Sequence, residues 1–128
     1  MQMLCRSLVL SAILVMPLIS YGASSTLQVA VGSGVVEGKQ DGPVRTFLGI
    51  PYATPPVGDL RWKPPVAPAK WAGVRNATAF GAACVQAPVY DDMNFRGAGQ
   101  SEDCLYLNVW TPAKGADAKL PVMVWIHG

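Results

Sequence analysis

Few side chains in this chain could do covalent chemistry, and two of them are cysteines placed to close a loop. Cys84 and Cys104 enclose residues 85–103, a stretch rich in Gly, Asp, Asn and Gln. Such thiols oxidise to a disulfide in an oxidising compartment and stay free in a reducing one. The pattern predicts an Ω-like surface loop closed by a disulfide, with two separate free thiols as the alternative.

The redox compartment is indicated by the start of the chain. Residues 1–22 combine a basic n-region, an apolar run over residues 8–19 and a small-x-small site ending at Gly22. We expect cleavage after Gly22, with Ala23 as the alternative site. A transmembrane anchor is disfavoured, because a span needs roughly 20 apolar residues. The prediction is a signal peptide over 1–22 and a secreted or periplasmic mature chain, without a membrane anchor.

Composition excludes some classes of protein and of partner. Of the 128 residues, 51% are hydrophobic and 14% are charged, which is unlike a disordered polar segment. The net charge is +2 and the basic residues are scattered. Nothing in this pattern points to nucleic acid or to an anionic membrane surface as a partner.

The elements that must position the cysteines are strands and irregular coil. Residues 26–31 alternate with period two, residues 32–34 can turn, and residues 35–37 resume, which predicts an antiparallel hairpin. Residues 39–43 have loop chemistry, and residues 44–50 are a third strand candidate that ends at proline.

A proline-rich segment follows, with six prolines between Pro51 and Pro68. It cannot be a helix interior or a central strand. A disordered linker is one interpretation. We expect instead an ordered coil pinned onto a core by its large side chains, which are Tyr52, Leu60, Trp62 and Trp71.

Two apolar runs, residues 105–110 and 120–126, predict strands covered on both faces, as in a layered α/β domain. A buried strand in some unrelated domain is the alternative for the first run. The second run has the character of a central parallel strand, which needs crossover helices. No helical window is found in residues 23–128. We therefore expect this piece to be marginally stable or aggregation-prone alone.

Residues 102–112, E-D-C-L-Y-L-N-V-W-T-P, resemble the second signature of the type-B carboxylesterases, the family of cholinesterases and bacterial para-nitrobenzyl esterases. Trp62 replaces the phenylalanine that is more frequent at its position. The resemblance covers roughly residues 26–128, and further blocks carry it in order: Phe47–Ala53, Pro55–Gly58, Leu60–Trp62, Trp71–Val74, Ala77–Gly81 and Cys84–Gln86.

The resemblance implies the N-terminal portion of an α/β-hydrolase domain, incomplete over 23–128. It implies a serine carboxylesterase that cleaves small-molecule esters through an acyl-enzyme, with no cofactor and no metal. It also implies a Cys84–Cys104 disulfide and an ion pair between Arg61 and Glu102, two charges that would otherwise be independently solvated. His127 and Gly128 are similar to the first two positions of the turn whose backbone N–H groups stabilise the oxyanion.

The catalytic machinery itself is not in these residues. No G-x-S-x-G elbow occurs, and the single histidine, His127, is not the general base in this family. We expect the chain as given to be an inactive piece of an esterase. The alternatives are a binding or adhesion ectodomain that has lost the nucleophile, and a small secreted β-rich protein.

The enclosed loop departs from the cholinesterases. Their loop carries a tryptophan that binds quaternary ammonium by a cation–π contact. Here the loop has Tyr90 and Phe95 but no tryptophan. The sequence therefore favours a broader carboxylesterase over a choline-ester specialist.

Overall fold

The computed structural model describes residues 27–87 and 96–126. In them the chain forms eight strands and two short 3₁₀ helices, Gly58–Leu60 and Ala116–Ala118. There is no α-helix in this part of the chain, as expected from its Gly and Pro content. The strands are β1 Gln28–Val31, β2 Gly34–Glu37, β3 Lys39–Asp41, β4 Val44–Pro51, β5 Val74–Asn76, β6 Ala83–Cys84, β7 Gln100–Ser101 and β8 Tyr106–Thr111.

The described strands form three small sheets, ordered β1-β2-β5, β3-β4-β8 and β6-β7. β1 and β2 form an antiparallel hairpin, which confirms the hairpin predicted over residues 26–37. The loop predicted over residues 39–43 was wrong in part, because Lys39–Asp41 forms β3 and pairs with β4. The turn between them contains Gly42 at φ +55°, and the Gln40 amide donates to the Gly42 carbonyl. Local bonds thus shorten the loop to a tight turn.

A small apolar core lies where β2 and β4 approach each other. It consists of Val36, Phe47, Ile50 and Ala77, each less than a tenth exposed. Ala77 connects the two sheets, because its N–H donates to the Glu37 carbonyl and its own carbonyl accepts from the Leu48 N–H. β2 and β4 are therefore joined by main-chain hydrogen bonds through a residue that follows β5.

Asn108, the one polar residue in the apolar run of β8, has a structural explanation. The β4–β8 ladder shifts register between Phe47 and Ile50, and Gly49 lies in this bulge at φ +68°. The Asn108 Oδ1 atom accepts a hydrogen bond from the Gly49 N–H at 2.9 Å. The side-chain amide therefore replaces a ladder bond that the bulge removes.

The proline-rich segment is an ordered coil, as predicted, and of its expected anchors Trp71 is confirmed and Trp62 is not. Trp71 is half-buried against the core, and its indole N–H donates to the Val35 carbonyl at 2.9 Å. Gly34 permits this contact, since a Cβ there would collide with the indole ring. The anchoring role predicted for Trp62 was wrong, because Trp62 is fully exposed. Tyr52 is half-exposed.

The two apolar runs near the C-terminal end are not covered. The first run does form β8, but Leu107, Val109 and Trp110 are 39%, 38% and 56% exposed. The second makes no strand in residues 120–126, where Val122 and Trp125 are 84% and 88% exposed. The strand predicted over residues 120–126 was wrong for the described residues, whereas the exposure of both runs agrees with the expectation that this piece lacks the layers that would cover them. None of their helices has the length and apolarity of a membrane span.

Candidate functional site

The candidate site is the base of the enclosed loop, which we call the loop neck and define as residues 83–86 and 99–104. β6 and β7 pair in parallel there, with Ala83 opposite Gln100 and Cys84 opposite Ser101. The predicted disulfide is confirmed, with the Cys84 and Cys104 sulfurs 2.09 Å apart. The neck is therefore closed both by main-chain pairing and by a covalent bond.

Two glutamines add hydrogen bonds across the loop neck that were not predicted from the sequence. The Gln100 Oε1 atom accepts a hydrogen bond from the Gln86 N–H at 3.2 Å. The Gln86 side-chain amide donates to the Cys84 carbonyl at 3.4 Å. The only signal in the sequence is position, since Gln86 follows one cysteine by two residues and Gln100 precedes the other by four.

Arg61 and Glu102 lie in contact, as the resemblance implied. Arg61 Nη2 is 2.5 Å from Glu102 Oε2, which connects the proline-rich coil to the loop neck. The hydrogen bond from Arg61 lowers the pKa of Glu102 below its ordinary value, and desolvation opposes this only in part. However, the two side chains are 54% and 46% exposed. Water therefore still reaches both charges, and the pair is a solvent-exposed one.

A third set of contacts surrounds the start of β8. Partial burial is the main cause that raises the pKa of Tyr106, and a hydrogen bond with Asp103 raises it further. Arg75 opposes this shift, and its guanidinium lies 5.6 Å from the centre of the Trp71 ring. Tyr106, Asp103 and Arg75 therefore link β8, the neck and β5. No pattern in the sequence indicates this network.

The chemistry of these residues is structural. The neck contains a disulfide, an ion pair and amide hydrogen bonds, and no serine or thiol beside a histidine base. No group of three or more potential metal ligands occurs within residues 27–87 and 96–126. The predicted oxyanion-turn residues His127 and Gly128, and the loop aromatics Tyr90 and Phe95, lie outside the described residues. The predicted turn therefore stays a prediction.

Comparison with known proteins identifies what the chain resembles. Residues 25–128 match the model of the carboxylesterase family. The chain is 52% identical over 96 residues to the fumonisin B1 esterase of Sphingopyxis macrogoltabida, a match that covers 75% of this chain and 17% of that protein. It is 49% identical over 94 residues to the cocaine esterase of Homo sapiens, covering 66% and 17%. The chain thus spans 17% of the length of these curated relatives.

Solved structures give the same result. A thermophilic PNB esterase superposes with a TM-score of 0.73 at 42% identity, covering 81% of this chain and 22% of that one. The carboxylesterase of Geobacillus stearothermophilus superposes with a TM-score of 0.57 at 41% identity, covering 68% and 16%. These neighbours are esterases of the α/β-hydrolase fold, which confirms the predicted fold class.

Proposed function

The chain belongs to the carboxylesterase family, and we propose that it is the N-terminal part of an enzyme that hydrolyses carboxylic esters of small molecules. The family match over residues 25–128 carries this proposal. Several relatives are named as esterases or hydrolases, among them the fumonisin B1 and cocaine esterases. Because the chain spans 17% of these relatives, most of such a domain would lie outside the residues given.

In this proposal the reaction proceeds through a serine acyl-enzyme. A serine on an elbow attacks the ester carbonyl, a histidine accepts the serine proton, and a carboxylate orients the histidine. None of these three residues is among those given. His127 and Gly128 would begin the turn whose backbone N–H groups stabilise the oxyanion. We expect the 128 residues alone to have no esterase activity.

The remaining residues have supporting roles in this proposal. The disulfide closes the loop neck, and the Arg61–Glu102 pair connects the neck to the proline-rich coil. In the complete enzyme the enclosed loop would lie near the entrance of the site. We also propose export, by cleavage of residues 1–22, since the disulfide needs an oxidising compartment. N-terminal sequencing of the mature protein tests this, and a retained Met1 would contradict it.

The first experiment is to sequence the source DNA beyond the codon for Gly128 and to express the complete reading frame. We expect further glycines after Gly128, then G-x-S-x-G, and hydrolysis of para-nitrophenyl butyrate by the purified product. A fluorophosphonate probe should label the elbow serine. The controls are the 128 residues alone and the complete protein with that serine replaced by alanine, both of which should be inactive.

An open frame without the serine would contradict the enzymatic proposal. It would favour the second candidate, a binding or adhesion ectodomain of the same fold. A complete protein that carries the serine but hydrolyses neither short nor long para-nitrophenyl esters would also contradict it.

A further inference from the structure

We propose that the loop neck positions Cys84 and Cys104 for each other without help from the disulfide, and that Gln100 is the positioning residue. A thiol such as glutathione could then open the bond, and oxidation would re-form the same bond rapidly. The neck would then be a reversible redox switch, in which the two cysteines stay next to each other after the disulfide is reduced. This inference concerns the neck alone and is independent of the proposed enzyme activity.

The first observation is that main-chain contacts close the neck without sulfur. β6 and β7 pair over two residues each. The Ala83 N–H donates to the Gly99 carbonyl at 2.9 Å, beside that ladder. None of these bonds involves a sulfur atom, so opening the disulfide does not itself remove any of them.

The second observation is that side-chain bonds flank Cys84. Gln100, on β7, accepts the Gln86 N–H, and the Gln86 amide in turn donates to the Cys84 carbonyl. The chain on the C-terminal side of Cys84 is thus hydrogen-bonded to the opposite strand through one side chain. Removing the Gln100 acceptor would therefore remove the hydrogen bond on this side of Cys84 and leave the main-chain pairing of β6 with β7 in place.

The third observation is that Cys104 is held independently. Its carbonyl accepts the Tyr106 N–H at 2.9 Å, and the adjacent Asp103 N–H donates to Ser101 Oγ at 3.1 Å. The Cys84 sulfur lies 4.0 Å from the Cys104 carbonyl oxygen. A reduced Cys84 thiol would therefore have a weak acceptor where it now stands.

The fourth observation is access. Cys84 is exposed, so that a thiolate from solution can reach its sulfur. Exchange with glutathione breaks the S–S bond, adds one proton to each cysteine sulfur and joins two glutathione molecules as their disulfide. By linkage, contacts that favour the closed neck raise the equilibrium constant for disulfide formation by the same factor.

The test uses the full chain with Cys5→Ser, which leaves only the two neck thiols. The protein is equilibrated in glutathione buffers at neutral pH, and alkylation with mass spectrometry gives the oxidised fraction. Equilibrium constants are measured in buffer and in concentrated urea. We expect the constant to be much larger in buffer, because only the folded neck positions the thiols. Equal constants in the two solvents would overturn the proposal.

Variants isolate the role of Gln100. Gln100→Ala should lower the constant in buffer about two- to twelvefold, the factor that one net hydrogen bond supplies, and leave it unchanged in urea. Gln100→Glu keeps an acceptor for the Gln86 N–H and should restore the wild-type equilibrium constant in buffer. Gln40→Ala is the matched control, since Gln40 makes its bonds in the β3–β4 turn. No effect of Gln100→Ala, no rescue by Gln100→Glu, or an equal loss in Gln40→Ala would each overturn the proposal.

Discussion

The two ends of the described chain have similar apolar content and opposite environments. In the region of β2, β4 and β5, Val36, Phe47 and Ala77 are almost fully buried. In β8 and residues 120–126, side chains of the same types are exposed, up to 97% at Met123. The first region finds its partners within the described residues, because β2 pairs with β1 and β5, and β4 pairs with β3 and β8. The second lacks, among the described residues, a layer that covers its apolar side chains.

This difference shows that an apolar pattern indicates which side chains are buried in a complete domain, but it does not indicate which element covers them. β8 pairs through one edge with β4 and leaves Leu107, Val109 and Trp110 exposed. The chain spans 17% of the length of its relatives, so most of the mass that covers such strands in a complete domain lies elsewhere. Hydrophobicity predicts burial only for a chain that contains the covering layer.

The comparison is tested most strongly by truncating one side chain in each region. Phe47→Ala removes a buried ring and should lower the free energy of unfolding by about 3–5 kcal/mol, which is enough to unfold a marginally stable chain even without urea. Val124→Ala, at an 80% exposed position, should change it by less than about 0.5 kcal/mol. Urea titrations followed by circular dichroism measure both. Similar losses would mean that residues 120–126 pack in solution and that the contrast is wrong.

The next largest effect concerns the disulfide between the two regions. Replacing both Cys84 and Cys104 by serine should lower the free energy of unfolding by about 3 kcal/mol, the chain-entropy value for a loop of this length. Thermal unfolding with and without reductant measures it. The double variant should no longer respond to reductant, and a wild type that is equally indifferent to reductant would contradict the prediction.

Much of the packed region could be predicted from the sequence, because its signals are local. The β1–β2 hairpin follows from period-two alternation around Gly32-Ser33-Gly34. The parallel pairing of β2 with β5 was not predicted, since the two strands are far apart in sequence and β5 is short and exposed. Trp71 and Trp62 were indistinguishable by type, and only the space beside Gly34 decides which one anchors the coil.

Those contacts of the loop neck that the family resemblance implied were predicted, and its other contacts were not. Resemblance implied the Cys84–Cys104 bond and the Arg61–Glu102 contact, but it gave no measure of solvent access, and the charges are half-exposed. Gln86 and Gln100 look like ordinary surface residues. Their bond depends on the β6–β7 register, which no local pattern encodes.

Asn108 is the one polar residue in the apolar run of β8, and its substitution tests whether this residue stabilises the packed region. Asn108→Leu should lower the free energy of unfolding by about 1–3 kcal/mol, because the Gly49 N–H in the bulge loses its acceptor. Asn108→Asp keeps an oxygen acceptor and is the matched control, with a smaller expected loss. Urea unfolding measures both. If leucine were tolerated or stabilising, β8 would behave as an apolar strand like residues 120–126.

The smallest expected effect belongs to the Arg61–Glu102 pair, which joins the coil to the neck. Because Arg61 lowers the pKa of Glu102 in the folded chain, the pair stabilises the fold at pH values above the ordinary Glu pKa of 4.5. Its contribution is lost as the pH falls through the lower, folded value, where Glu102 gains a proton. Arg61→Ala should therefore reduce the urea midpoint slightly at neutral pH and hardly at all in strong acid.

Glu102→Gln should reproduce this pH dependence, and adding salt at neutral pH should reduce the difference from wild type, since exposed pairs are screened. A loss in Arg61→Ala that is as large at low pH as at neutral pH would contradict the assignment to charge. The guanidinium would then act by packing its stem against the proline-rich coil. The coil would in that case be held to the neck by apolar contact, as it is held to the core by Trp71.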